Sequence, residues 1–293
     1  MKHLFLFIII SVLMILGCRG KNGGSVVTPP KKPGVGDSSI HGPSKNTQNP
    51  LDDFDKKYII EKKALNQGMQ IEWITTAPKE NPTLKDGEVC MISYRLTLPD
   101  GKIIDGNSRL KLPFVPFIVG YNMQTPGWDI GFKELRVGDF AKIVIPAQKA
   151  YGKQGLSKVV PPDSPVWLYV RVISRVIPDY EGDGMKTWIF DKGEPNALDD
   201  DPDKEILYHC LASSKSNPHV QNSLIKNHPL TYMPGQLNVV PGLRNLLSKA
   251  RKNQKIFALL SPKQAYGESG LGNIVQPNET VFFNITIASV RKL

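Results

Sequence analysis

Side chains able to make or break bonds are few and scattered in this 293-residue sequence. The three cysteines, Cys18, Cys90 and Cys210, form no C-x-x-C pair, so neither a disulfide framework nor a zinc site is implied. The five histidines are dispersed, which argues against a metal enzyme. The run Asp199-Asp200-Asp201-Pro202-Asp203 lacks the alternating spacing and the glycine of a calcium loop and reads as a solvated acidic loop. The net charge is +10, and residues 206–293 alone carry +8, densest at Ser248–Lys255. No segment has the basic density of a nucleic-acid interface, so no nucleic-acid partner is expected. Tyr94, Asp105, Trp128 and Tyr151 remain. Taken singly, Trp128 reads as core, Asp105 as a turn residue and Tyr151 as packing. Tyr94 alternates inward with Cys90 and Ile92.

The elements that hold these residues repeat. At an offset of 115–116, Pro126-Gly127-Trp128 matches Pro241-Gly242-Leu243, and Ala150-Tyr151-Gly152 matches Ala265-Tyr266-Gly267. Gly155-Leu156 matches Gly270-Leu271, and Pro162 matches Pro277. Two copies at so long a period indicate duplicated domains. Alternation predicts strands at 89–96, 141–145 and 166–172, with a hairpin turn at Leu98-Pro99-Asp100-Gly101-Lys102 and one short helix at about 129–135. Each copy is therefore an α+β module, an antiparallel sheet curled round one short α-helix.

The order Tyr94, Asp100-Gly101-Lys102, Ile104-Asp105, Phe117, Gly120, Gly127-Trp128-Asp129, Val137-Gly138, Ala150-Tyr151-Gly152 and Val160-Pro161-Pro162 resembles the FKBP-type peptidyl-prolyl cis-trans isomerases. The resemblance covers 68–178 well and 184–293 with a poorer middle. It implies two tandem FKBP-like domains acting on proline-containing segments of client proteins. Rotation about an X–Pro bond crosses a barrier of roughly 20 kcal/mol because amide resonance is lost. Such a catalyst needs no nucleophile, metal or cofactor; it binds the twisted amide better than either planar form.

The resemblance also implies a pocket in the first copy. Trp128 matches the indole floor under the proline ring, and Tyr151 the hydroxyl that bonds a ligand carbonyl. Asp105 matches the carboxylate at the mouth, and Tyr94 the wall that bonds it. Val160 matches a position whose backbone N–H meets the ligand. Phe117 and Leu168 match lining positions. Ile104 and Val115 stand where phenylalanines are usual, Leu168 where an aromatic is usual, and Gln124-Thr125 where an apolar pair is usual. These changes imply a wider, wetter pocket and weaker activity. In the second copy Leu243 replaces the tryptophan, Cys210 or His209 replaces Tyr94, and Gln221 or Val220 replaces Asp105. Tyr266, Val275 and Phe283 keep the family's character. That copy is expected to be weak or inactive, which also supports a second reading, a non-catalytic FKBP-fold chaperone or adaptor.

The N-terminus reads as an address. Met1-Lys2-His3 precedes an apolar stretch, Leu4 to Leu16, too short to span a bilayer comfortably. Ile15-Leu16-Gly17-Cys18 resembles the bacterial lipobox, so Cys18 is expected to carry a lipid anchor and residues 1–18 to be its signal peptide. Arg19 in place of aspartate favours an outer-membrane, extracytoplasmic destination in the cell envelope. Residues 19–50 hold 15 Gly, Pro or Ser in 32 and read as a flexible tether. Residues 51–67 are expected to form a short helix, from Leu51, Phe54, Tyr58, Ile59 and Leu65 with acids first and Lys62-Lys63 last. Residues 179–183 read as the start of a linker. Oligomeric state is left open by the sequence.

Overall fold

The structure, a computed structural model, describes residues 58–195, 201–225 and 227–293. The expected signal peptide, the tether, residues 51–57 of the expected helix and Asp199-Asp200 lie outside the described residues.

The two sequence copies form two antiparallel seven-stranded sheets with the same strand order. In the first, β1 (Glu61–Ala64), β2 (Gln70–Thr75), β6 (Phe140–Ile145), β7 (Val166–Val176), β3 (Val89–Thr97) and β4 (Ile103–Gly106) lie side by side, and β5 (Val115–Ile118) also pairs with β3. In the second the path is β8 (Tyr180–Gly182), β9 (Met185–Asp191), β13 (Lys255–Leu260), β14 (Val281–Lys292), β10 (Lys204–Ser214) and β11 (Gln221–Asn222), with β12 (Leu230–Tyr232) also on β10. Three short helices are described: α1 (Asn107–Leu110), α2 (Pro126–Phe132) and α3 (Pro241–Leu247).

Alternation explains β7. Val166, Leu168, Val170 and Val172 are buried, whereas Trp167, Tyr169 and Arg171 are only half-buried. One face thus packs on the core and the other carries polar partners, as Lys142 over the Trp167 ring at 4.0 Å shows. Helix α2 crosses that inner face. Pro126 fixes its first turn. Gly127 and Gly131 let it approach β6, because a Cβ on Gly127 would sit 2.3 Å from Ile145 Cγ2 and one on Gly131 2.6 Å from Ile143 Cδ1. The helix begins three residues earlier than its apolar pattern suggests, because the proline at its first turn sets the start.

The helix expected over 51–67 is not formed in its described part. Glu61–Ala64 is strand β1, paired antiparallel with β2 from Glu61↔Trp73 to Ala64↔Gln70, and Asn66–Gly68 is a 3-10 turn with Gln67 at φ 63°. The open edge of β2 supplies hydrogen-bond partners that a lone helix cannot match. Lys62 and Lys63 reach Glu72 at 3.2 Å and Glu134 at 2.6 Å. The segment expected to start a linker, 179–183, contains β8, which occupies in the second sheet the place of β1 in the first.

The domains pack on one another. Val89, Ile118 and Tyr121 of the first form one buried cluster with Trp188, Phe257, Leu259 and Phe282 of the second. Burying a large apolar side chain contributes about 1.5–3 kcal/mol. Polar contacts orient the junction: Trp188 Nε1 donates to the Val176 carbonyl at 3.0 Å, and Ser213 Oγ to the Tyr121 carbonyl at 2.6 Å. Cys90 and Cys210 are buried free thiols. Burial pushes both up, Cys210 to about 12, so they are unreactive.

Candidate active site

Five elements converge on Tyr94. Its backbone N–H donates to Asn107 Oδ1 at 2.5 Å, which fastens β3 to the turn after β4. Asn107 in turn donates to the Leu112 carbonyl at 3.0 Å. The Tyr94 hydroxyl donates to Asp105 Oδ2 at 2.9 Å, and Gly106 N–H donates to Asp105 Oδ1 at 2.8 Å. Trp128, on α2, meets Tyr94 edge-on with centroids 5.2 Å apart. Phe117, on β5, lies 5.5 Å from Trp128, and Phe132 stacks behind it at 6.0 Å. Tyr151 sits between two 3-10 turns, Ala147–Lys149 and Gly152–Gln154, and is 3% exposed. Its hydroxyl has no hydrogen-bond partner among the described residues.

Charge ties the polar members together. Burial raises the Asp105 carboxyl above its usual range, against the Tyr94 hydroxyl, the Gly106 amide and the Arg109 charge, which favour ionisation. Burial, then the Asp105 charge, pushes both tyrosine hydroxyls up, so both stay neutral donors. The arrangement is an apolar floor with two hydroxyls and one hydrogen-bonded carboxylate at its edge. Among the described residues no group of His, Cys, Asp and Glu could hold a metal.

Ile104, Val115 and Leu168 are buried in the core cluster with Tyr94 and Trp128. Gln124 and Thr125 lie on the Tyr151 side, lining a cleft of about 410 Å³. The polar pair expected in the pocket therefore lines that cleft. Val160 corrects an expectation. Its N–H already donates to the Leu156 carbonyl at 2.8 Å in a short bridge, so it is not a free donor. The Thr125 hydroxyl, by contrast, is buried with no partner among the described residues.

Two positioning residues escaped the sequence reading, and a third, Asp129, entered it only as part of the family's residue order. Asn107 and Arg109, whose guanidinium donates to the Ile104 carbonyl, fix the turn carrying Asp105. Asp129 accepts from Gly120 N–H and Asn122 N–H, both at 2.7 Å, and burial pushes it up to about 6. It holds the turn ahead of α2, where Gly120 adopts φ 82° and a Cβ would fall 2.1 Å from Asp86 Oδ1. The signal was present in the polar residues at 105–109, but turn residues of that kind are common.

A family model described as FKBP-type peptidyl-prolyl cis-trans isomerase matches residues 80–173 and 200–288. The chain belongs to that family. Human "Peptidyl-prolyl cis-trans isomerase FKBP10" is 25% identical over 219 residues, 75% of this chain and 37% of that protein. "FK506-binding protein 2" of Yarrowia lipolytica is 34% identical over 99 residues, 34% of this chain and 66% of that protein. Drosophila melanogaster "Peptidyl-prolyl cis-trans isomerase Fkbp12" is 32% identical over 106 residues, 36% of this chain and 97% of that protein. The alignment thus spans little more than a third of the human relative's length.

Strand pairing settles the second FKBP-type domain's register. In the first, Leu96 pairs with Leu168 and Tyr94 with Val170; in the second, Ala212 pairs with Phe283 and Cys210 with Ile285. Cys210 therefore stands at the Tyr94 position, and its N–H donates to Ser223 Oγ at 2.9 Å as that of Tyr94 does to Asn107. Leu96 pairs with Asp105 and Ala212 with Gln221, so Gln221 stands at the Asp105 position. His209 is half-buried beside Ser223, with Nδ1 3.3 Å from its Oγ. Leu243 fills the tryptophan position.

Proposed function

We propose that this chain is a peptidyl-prolyl cis-trans isomerase whose first FKBP-type domain is the catalyst. It acts on proline-containing segments of client proteins in the cell envelope. The observation carrying this reading is that Tyr94, Asp105, Trp128 and Tyr151 meet in one site of the first domain. The second domain has Cys210, Gln221 and Leu243 in place of the first three.

Twisting an X–Pro amide withdraws charge from its carbonyl, so a dry aromatic floor favours the twisted form over the planar ones. Trp128, braced by Tyr94, Phe117 and Phe132, supplies the floor for the proline ring. The Tyr151 hydroxyl, which has no partner among the described residues, donates to a substrate carbonyl. The Asp105–Tyr94 pair polarises the edge of the site without transferring a proton. The second domain acts as a structural partner, consistent with the apolar seam around Trp188.

The test is isomerisation of a proline tetrapeptide by the full chain and by Trp128→Leu, which installs the second domain's residue. Turnover that falls at least tenfold in the variant supports the reading; equal rates refute the assignment. Anchoring through Cys18 is tested separately. Cys18→Ala is expected to move the protein from the membrane fraction to the soluble one, and continued membrane attachment would remove the anchor.

A further inference from the structure

Two clefts meet where the domains join. One, about 410 Å³, lies beside Tyr151 and Thr125 of the first domain. The other, about 210 Å³, lies between Met123 and the second domain's Leu211–Ser213, Val220 and Asn284. Gln124, Pro218 and His219 line both, so the two form one continuous groove leading away from Tyr151.

Pro218 and His219 belong to the turn between β10 and β11, and that turn is held from both sides. Ser216 N–H and Oγ donate to Glu279 at 2.9 and 2.8 Å, and Asn217 Nδ2 donates to the Ile274 carbonyl at 2.9 Å. On the first domain, Asn122 Nδ2 donates to the Ser214 carbonyl at 2.8 Å, and Lys215 pairs with Asp86 at 2.7 Å. The wall is fixed before any ligand arrives, which lowers the ordering cost of binding.

The lining chemistry suits a polypeptide backbone. Among the described residues no carboxylate lines either cleft, and Tyr151, Lys153 and His219 are the ionisable groups there. Gln124 and Asn284 are buried amides, each with a donor and an acceptor. Thr125 is 3% exposed, and its buried hydroxyl has no partner among the described residues. An extended chain presents one N–H and one C=O per residue and can satisfy such groups.

We propose that this interdomain groove binds the extended segment on one side of the isomerised proline, with the second domain supplying one wall. Client selection then depends on residues beyond the proline dipeptide. The inference rests on the isomerase reading for what sits beside Tyr151, and it gives the degenerate second domain a role in recognition.

The experiment uses the full chain with fluorescent proline peptides, one a tetrapeptide and two lengthened on the N-terminal or the C-terminal side. Affinity is read by anisotropy and turnover in parallel, for the natural chain and for His219→Ala, Pro218→Ala and Asn284→Ser. The first two alter exposed turn positions and leave the core intact. Lengthening on one side is expected to tighten binding about tenfold, equivalent to about 1.4 kcal/mol. That gain should shrink in the variants. No gain with length, or a gain that survives all three substitutions, overturns the proposal. Variants that bind both lengths more tightly would also overturn it, because the turn would then be an obstruction. Absence of turnover with every peptide, alongside a length gain that the variants abolish, refutes the isomerase reading and leaves the groove standing.

Discussion

Replacing Tyr94 by phenylalanine removes one atom from a buried pair. The Tyr94 hydroxyl lies 2.9 Å from Asp105 Oδ2, and the two residues are 1% and 4% exposed. A hydrogen bond to a charged group contributes about 1.5–3 kcal/mol, and one to a neutral group about 1 kcal/mol. Because the Tyr94 hydroxyl favours the ionised carboxyl, loss of the bond should raise Asp105 further. The sign of the pH effect follows. Burial already raises Asp105 in the folded state, so stability from this group declines as pH rises from its unfolded value through its folded one. In Tyr94→Phe that decline continues to higher pH. The variant should therefore lie about 1 kcal/mol below the natural protein in acid and about 1.5–3 kcal/mol below it where the carboxyl is ionised. Urea unfolding across a pH series measures this, and carbon-13 NMR of the Asp105 carboxyl follows the titration directly. A difference that does not vary with pH, with an unmoved Asp105 titration, would refute the reasoning.

Other substitutions follow from particular contacts. Gly127→Ala forces a Cβ to 2.3 Å from Ile145 Cγ2, so it should cost about 1–3 kcal/mol and slow turnover by displacing Trp128. Its counterpart Gly242→Ala, 2.7 Å from Leu260 Cδ1, should lower the melting temperature and leave turnover unchanged. Asp129 is pushed up to about 6 from 3.8, a difference of about 3 kcal/mol against the ionised folded form. Stability of the natural protein relative to Asp129→Asn should accordingly fall as pH rises between about 4 and 6, as read by thermal melts. Trp188→Ala should cost about 3–5 kcal/mol and separate the domains' unfolding transitions in calorimetry.

The sequence made the strands legible where one face is buried and the other is not. Val166 to Val172 alternates, and β7 follows it. It was misleading at 61–67, because the apolar spacing of a helix and the charges of an exposed edge strand are compatible there. Only the neighbouring edge of β2 decides between them. Tyr94, Asp105, Trp128 and Tyr151 were legible as a set because four separated positions agreed with one family's order. Val160 was not, since a bond from its own N–H to Leu156 depends on loop geometry that residue identity does not carry. The choice between Cys210 and His209, and between Gln221 and Val220, required strand register. The placement of Pro218 and His219 beside Tyr151 depends on how two domains dock, and no local pattern encodes that.

The central claim, that one of two similar domains does the chemistry, is tested most directly by making the same substitution in each. Tyr151→Phe and Tyr266→Phe remove equivalent hydroxyls, and kcat/KM of the full chain on a proline tetrapeptide is the readout. Loss of one hydrogen bond to the reacting amide predicts a fall of about tenfold for Tyr151→Phe. No change is predicted for Tyr266→Phe. Equal falls in both variants, or a fall only in Tyr266→Phe, would contradict the account.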